Sequence, residues 1–337
     1  MKKFLCTITT FITALLGTAA AQASPLRICA TVPDLGAIAR EVGGAQVEVT
    51  VFAKGVEDPH FVEARPSFIK ALSRCDLYLQ VGLELEIGWA PLLLQSARNG
   101  KVLPGNPGFL DASEGLVPLG VPTGPVDRSM GDVHAGGNPH YLLDPLEGLR
   151  VARLIRDRLG MLSPENRAGF EANYEASRKE ILSALLGESL AAAPDAEEIA
   201  QRYAAEGPGA LGDKLQGWLG ALSPYYGSKI VTDHDLWPYF ARRFGLVVVG
   251  HLEPKPGVPP TARHLAGLVE RMKAEKSGAI LTSAYFDPRH ARFVSENTGA
   301  RVAELANQVG SRPGTESYLQ MVDYNVRQTA KALGGGL

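Results

Sequence analysis

A chain of 337 residues is long enough for two domains of ordinary size. Its 34 lysines and arginines nearly balance 36 aspartates and glutamates, a formal charge of −2 that becomes −4 when Lys2 and Lys3 leave with a leader. That balance gives no electrostatic footprint for nucleic acid, and no apolar run after the leader is long enough to span a bilayer. The leader itself is readable: MKK supplies charge, FLCTITTFITALLGTAA is apolar, and Ala21-Gln22-Ala23 is a small-residue cleavage site. Residues 1–23 are therefore expected to be a cleavable signal peptide, with export to the periplasm and a mature chain from Ser24. The apolar run is short for a membrane anchor, and no cysteine stands at the cleavage point to carry a lipid. Cys29 and Cys75 remain in the mature chain. Export permits a disulfide between them, while the apolar strand pattern around Cys29 equally suits a buried free thiol.

In chain order, LRICATV (Leu26 to Val32) is an apolar, β-branched run that reads as a buried strand. Leu35, Ile38, Ala39 and Val42 recur at helical spacing after Pro33. VEVTVFA (Val47 to Ala53) alternates as a second strand, Pro66 opens a helix carrying Phe68 and Leu72, and DLYLQVG (Asp76 to Gly82) is a third strand. From Asn106 to Gly137 the chain is rich in Gly and Pro, which predicts loops with room for one short strand. Asp144-Pro145 has the form of an N-cap and first helical residue, and the helix it starts is expected to end at Gly160. Ser163-Pro164-Glu165 begins another, running without a breaker to about Leu186 apart from Gly169. KIVT (Lys229 to Thr232), LVVVG (Leu246 to Gly250), AILTS (Ala279 to Ser283) and ARVAEL are strands. Helices are expected over Trp237 to Phe244, around Leu265 to Met272, after Asp287-Pro288 and from about Thr315.

Strands alternating with helices predict an α/β fold with parallel sheets covered on both faces. The expected division is an N-terminal α/β lobe over 24–160, a long linking helix over 161–190 and a C-terminal α/β lobe over 191–337. A helical or mobile insertion is expected near 192–220.

Polar residues at the carboxyl ends of these strands carry the chemistry, because open α/β sheets bind ligands there. His60 in EDPHFVEARP follows the second strand, His140 in GNPHYLLDP sits in a loop stiffened by Pro139 and Pro145, and His234 ends KIVT. A lone loop histidine is more often bonded to backbone than to a metal. Two Pro-His steps on either side of one cleft favour a metal, for which imidazole is the commonest ligand. Glu253, held among the prolines of HLEPKPGVPP, is the expected fourth ligand. His251 shares its side of the strand and is an alternative; Tyr285, ending AILTS, can point into the cleft but is more often a packing or hydrogen-bonding residue than a ligand. His134, in a Gly-rich loop, is on this reading a second-sphere or surface metal contact, and His264 and His290 are expected at the surface.

Together EDPHFVEARPS, GNPHYLLDP, TDHDLWPYFARRFGL, HLEPKPGVPP and ENTGARV…GTESYLQMVDYN resemble the zinc- and manganese-specific periplasmic receptors of bacterial ABC importers, the cluster A-I solute-binding proteins. The likeness spans almost all of the mature chain. It implies two α/β lobes joined by one rigid helix, with a metal between them and a membrane permease as partner. Carried over by motif, it makes His60, His140 and His234 ligands. The relatives' last ligand, an aspartate near the end, is replaced here by Asn307 in ANQVG, and Glu253 is placed in its stead. Three imidazoles and a carboxylate suit Zn²⁺. Mn²⁺ is the runner-up metal because it prefers more oxygen, and iron belongs to the same transporter class.

The expected function is thus a monomeric binder that captures zinc and hands it to an importer, not an enzyme. A zinc hydrolase would keep an open metal position and need a base such as Glu63 or Asp235; the chain has no H-E-x-x-H motif. A receptor for an organic solute would line its cleft with aromatic residues, which are only 7% of this chain.

Overall fold

The computed structural model describes residues 24–124, 133–211, 214–255 and 257–335. The expected signal peptide at 1–23 lies outside them. The first lobe is built from β1 (Leu26–Ala30), α1 (Pro33–Gly43), β2 (Val47–Val51), α2 (Pro66–Leu72), β3 (Leu77–Gln80), α3 (Ala90–Ala97) and β4 (Phe109–Asp111). Helices α4 (Pro145–Leu162), α5 (Arg167–Leu186), α6 (Glu188–Ala191), α7 (Ala196–Glu206) and α8 (Gly217–Leu222) follow. The second lobe then runs through β5 (Lys229–Thr232), α9 (Pro238–Phe244), β6 (Val247–His251), α10 (Ala262–Glu275), β7 (Ala279–Thr282), α11 (Pro288–Thr298), β8 (Arg301–Glu304) and α12 (Tyr318–Leu333). Each lobe has a four-stranded parallel sheet, with strand orders β2-β1-β3-β4 and β6-β5-β7-β8. The two lobes therefore share one topology.

Central strands are buried on both faces, as parallel sheets require: Ile28, Cys29 and Ala30 in β1, Leu77 to Leu79 in β3, and all of β7. Proline opens α1, α2, α4, α9 and α11, where its missing N–H costs nothing and its φ suits the first turn. Asp144 caps α4 by accepting from the Leu146 N–H at 3.0 Å. This helix runs past Gly160 to Leu162. The stop is Ser163, extended in ψ at 77° because Pro164 follows it. Helix α3, where Leu93 and Leu94 are buried, has a short apolar run that carries too little periodicity to be read from sequence.

One apolar core runs through both lobes, from Ile28 and Leu35 to Ile230, Tyr318 and Met321. Smaller clusters fill the outer faces of the two sheets, around Phe52, Phe68 and Trp89 and around Leu268, Met272 and Ile280. Helix α5 packs on α1 of the first lobe and on α8, while α12 packs on β7, β8 and α1. Cys29 and Cys75 are buried free thiols. Cys75 donates to the Leu77 carbonyl at 2.9 Å, and the Cys29 thiol, paired with the Cys75 sulfur as acceptor and buried, is pushed far up and stays protonated.

Candidate metal centre

Loops at the carboxyl ends of the strands bring four histidines together. His60 lies in a single 3-10 turn after β2, and Asp58 caps that turn by accepting from the His60 N–H at 3.0 Å. The same carboxylate bonds the ring Nδ1 at 2.7 Å, which fixes the tautomer and leaves Nε2 facing the cluster. Burial works against the Asp58 charge, yet the His60 hydrogen bond and ring charge hold this carboxyl below its ordinary range.

His140 is placed by Asn138. The Asn138 side chain accepts from the His140 N–H at 2.9 Å and donates to the Asp235 carbonyl at 2.6 Å. Tyr239, in α9, donates to the Asn138 carbonyl at 2.9 Å. The His140 loop is therefore tied to the second lobe before any metal is considered.

His234 follows β5. Its N–H donates to Asp233 Oδ1 at 2.8 Å, and Asp233 is locked by Trp237 Nε1 at 3.1 Å and by Ser283 Oγ at 2.8 Å. The ring stacks on Phe286, with centroids 5.7 Å apart. Its Nδ1 meets Glu253 Oε2 at 2.9 Å. Burial pushes the ring down, but the Glu253 hydrogen bond and charge overcome it and hold His234 above the ordinary histidine value.

His134 completes the group. Its Nε2 lies 3.0 Å from His60 Nε2, and the next residue is anchored by the Ala135 N–H on Glu84 Oε2 at 3.0 Å. Burial, then the charges of His60 and His234, lower His134 to about 4. Burial with the same neighbours puts His140 well below its ordinary value. Ring centroids of His60 lie 5.2, 5.5 and 6.4 Å from those of His134, His140 and His234. His134, His140 and His234 line a cavity of about 40 Å³. As they stand, no three His, Cys, Asp or Glu side chains among the described residues are arranged so that they could hold a metal ion. The His60 and His134 nitrogens meet each other, whereas two nitrogens on a tetrahedral zinc stand about 3.3 Å apart.

The sequence pattern of the ZnuA family, zinc-uptake complex component A periplasmic, matches residues 28–204 and 187–332. The chain belongs to this family. It is similar to the high-affinity zinc uptake system protein ZnuA of Paracoccus denitrificans (strain Pd 1222), at 26% identity over 95% of this chain and 96% of that protein. It is also similar, at 24% identity over 99% of each, to the manganese ABC transporter substrate-binding lipoprotein PsaA of Streptococcus pneumoniae. A solved structure, the crystal structure of ZnuA, shares the fold with a TM-score of 0.66 at 23% identity, covering 92% of this chain and 99% of that one.

The structure brings His60, His140 and His234 into one cluster and places the Glu253 carboxylate on His234 Nδ1. Gly257 N–H fastens the same Glu253 oxygen at 3.1 Å. His134 stands closer to His60 than sequence reasoning allowed, and Asp58 was missed; its DxH spacing, DPH, was the available signal. His251 turns to Thr232 Oγ1 at 2.8 Å, and His264 Nε2 to the His251 carbonyl at 3.0 Å. His264 and His290 are half-buried rather than exposed. Glu63 is exposed and pairs with Arg65. Asn307 is buried and accepts from the Ala284 N–H at 3.3 Å. The Tyr285 phenol is held protonated by burial and then by the charges of Asp58, Asp233 and Glu253.

Proposed function

We propose that this chain is the exported receptor that captures Zn²⁺ and delivers it to the membrane permease of an ABC importer. We propose His60, His134, His140 and His234 as the ligands, with Asp58 and Glu253 as the carboxylates that orient two of them. The observation that carries this reading is the donor set: four imidazoles gathered from both lobes. A nitrogen set suits Zn²⁺ in tetrahedral geometry, whereas Mn²⁺ prefers oxygen. The two carboxylates supply the negative charge that a buried dication needs without occupying its coordination positions. A relative named for manganese keeps Mn²⁺ as the second reading. The described helices include none long and apolar enough to cross a membrane, in keeping with a receptor that meets its permease from outside.

Calorimetric titration of the metal-free protein with Zn²⁺ and Mn²⁺ tests this. One Zn²⁺ per chain is expected, bound at least ~100-fold more tightly than Mn²⁺. His60→Ala and His140→Ala should each abolish tight binding with the fold intact. His134→Ala should weaken it by roughly 10-fold or more. Tighter Mn²⁺ binding overturns the metal, and wild-type affinity in any of these variants removes that residue from the ligand set.

A further inference from the structure

His140 lines two cavities. One is shared with His134 and His234; the other, of about 30 Å³, is walled by Val32, Leu85 and Leu142 and carries the polar side chains of Asp34, Asn307 and Gln308. Seven buried side-chain polar atoms lack a hydrogen-bond partner among the described residues, and three of them belong to this second cavity: Asp34 Oδ1, Asn307 Nδ2 and Gln308 Oε1. An unpaired buried polar atom is costly because it has given up its bonds to water, so three in one place need an explanation.

None of the three can turn away. Gln308 Nε2 is committed to the Glu57 carbonyl at 3.0 Å, across the seam between the lobes. Asn307 Oδ1 is committed to the Ala284 N–H at 3.3 Å, which fixes the direction of Nδ2. The Asp34 carboxyl already faces its own N–H and that of Val309. His140 differs from its neighbours in the cluster. His60 has Asp58 and His234 has Glu253, but neither ring nitrogen of His140 has a hydrogen-bond partner among the described residues.

The inventory fits water. Asn307 Nδ2 is a donor, Asp34 Oδ1 and Gln308 Oε1 are acceptors, and His140, which lines the cavity, has a ring N–H to offer as a second donor. Two donors and two acceptors match the four hydrogen bonds a water can make. A cavity holds a water once it offers roughly 10–15 Å³ and two to four polar partners, so this one has room for one or two.

We propose that this cavity is a built water site through which Asp34 backs His140, as Asp58 backs His60 and Glu253 backs His234. The water accepts from His140 and Asn307 and donates to Asp34 and Gln308. It holds the His140 proton on the nitrogen facing Asp34 and leaves the other nitrogen bare for the cluster. The site also accounts for Asn307, where the family resemblance expects an aspartate. The Asn307 amide supplies the N–H donor the water needs, which an ionised carboxylate at that position would lack. The consequence for zinc rests on the reading under Proposed function; the water site does not.

The test uses metal-free wild-type protein first. A high-resolution crystal structure should show ordered density within hydrogen-bond distance of Asp34 Oδ1, Asn307 Nδ2 and a His140 ring nitrogen. Histidine ¹⁵N spectra should show His140 locked in one tautomer. A dry cavity, a water that does not reach His140, or a mixed tautomer overturns the proposal. Asp34→Asn, which keeps the shape, should then shift the His140 ¹⁵N signals and weaken zinc binding by ~10–100-fold, the usual effect of losing an outer-shell partner. Unchanged signals and affinity in that variant would assign Asp34 a packing role only. If wild type binds no zinc, the ligand reading fails alone, because density and tautomer decide the water site without metal or variant.

Discussion

Glu253 and His234 form a pair whose chemistry depends on pH. A histidine held above its ordinary pKa by a carboxylate keeps its proton to higher pH, and the proton competes with metal. His134 and His140 are pushed the other way and are neutral throughout the physiological range. The sign follows: affinity contributed by His234 is full above its raised pKa and is lost as pH falls through it, while the two lowered rings add no such loss until well below 6.5. Glu253→Gln should lower the His234 pKa. Its zinc affinity should then change less between pH 6 and 8 than that of wild type, although at pH 8 it should bind ~10–100-fold more weakly because the ring is less firmly oriented. Zinc titrations across that range check this, and a variant with the wild-type pH slope would sink the assignment. At this scale the sequence was partly legible. His60, His140 and His234 stand out because proline or a strand end fixes each backbone. His134 does not, because its Gly-rich surroundings encode no direction, and its place is set by the Ala135 contact with Glu84. Which side of an imidazole a carboxylate takes is decided by side-chain packing, so the position of Glu253 behind His234 could not be read from strand alternation.

Most elements were visible as periodic apolar runs bounded by Pro and Gly, because a buried parallel strand and a Pro-capped helix each leave a local signature. The junctions between them hold chemistry that leaves none. Glu86, 2% exposed, accepts from Thr31 Oγ1 and the Val81 N–H at 2.7 Å and from the Gly82 N–H at 3.1 Å. It thereby ties the ends of β1 and β3, the central pair of the first sheet. Burial lifts its carboxyl to about 7 against the three donors that favour its charge. A raised carboxyl pKa means that the fold favours the protonated acid. Its contribution is complete below about pH 4, falls as the unfolded chain ionises, and is gone above about pH 7. The interval is worth on the order of 3 kcal/mol. Urea unfolding of wild type and Glu86→Gln at pH 5 and pH 8 measures it. The variant should be penalised most at pH 5, with the gap narrowing by roughly 2–3 kcal/mol at pH 8. A gap independent of pH would mean that Glu86 is ionised in the folded protein.

Two similar lobes were legible from the repeated strand and helix pattern, but what presses them together was not, since it consists of contacts between residues about a hundred or more positions apart. Asp144 joins α4 to α9: besides capping α4 it takes Arg243 Nε and Nη2 at 2.8 and 2.9 Å, both partners buried. Tyr318, at the start of α12, is fully buried and donates to the Leu142 carbonyl at 2.7 Å, two residues beyond His140. The backbone of α4 comes close enough for this only because residue 148 is glycine. A Cβ there would lie 2.2 Å from Tyr318 Oη and 2.4 Å from its Cε1. Gly148→Ala sets two effects against each other. Alanine is the better helix former by about 1 kcal/mol, but a methyl forced into a closed seam costs ~1–3 kcal/mol, and more if Tyr318 loses its hydrogen bond. The clash should win, because Tyr318 has no free space to enter. The variant should be destabilised and, with the His140 loop displaced, should bind zinc more weakly. Gly169→Ala is the control: it is exposed in α5 with nothing within 4 Å of its Cβ position, so helix propensity alone should raise or leave its stability. The denaturation midpoint should therefore fall for Gly148→Ala and rise or stay for Gly169→Ala. If both rise together, α4 and α12 are not close-packed, and the His140 loop is positioned by Asn138 and Tyr239 alone.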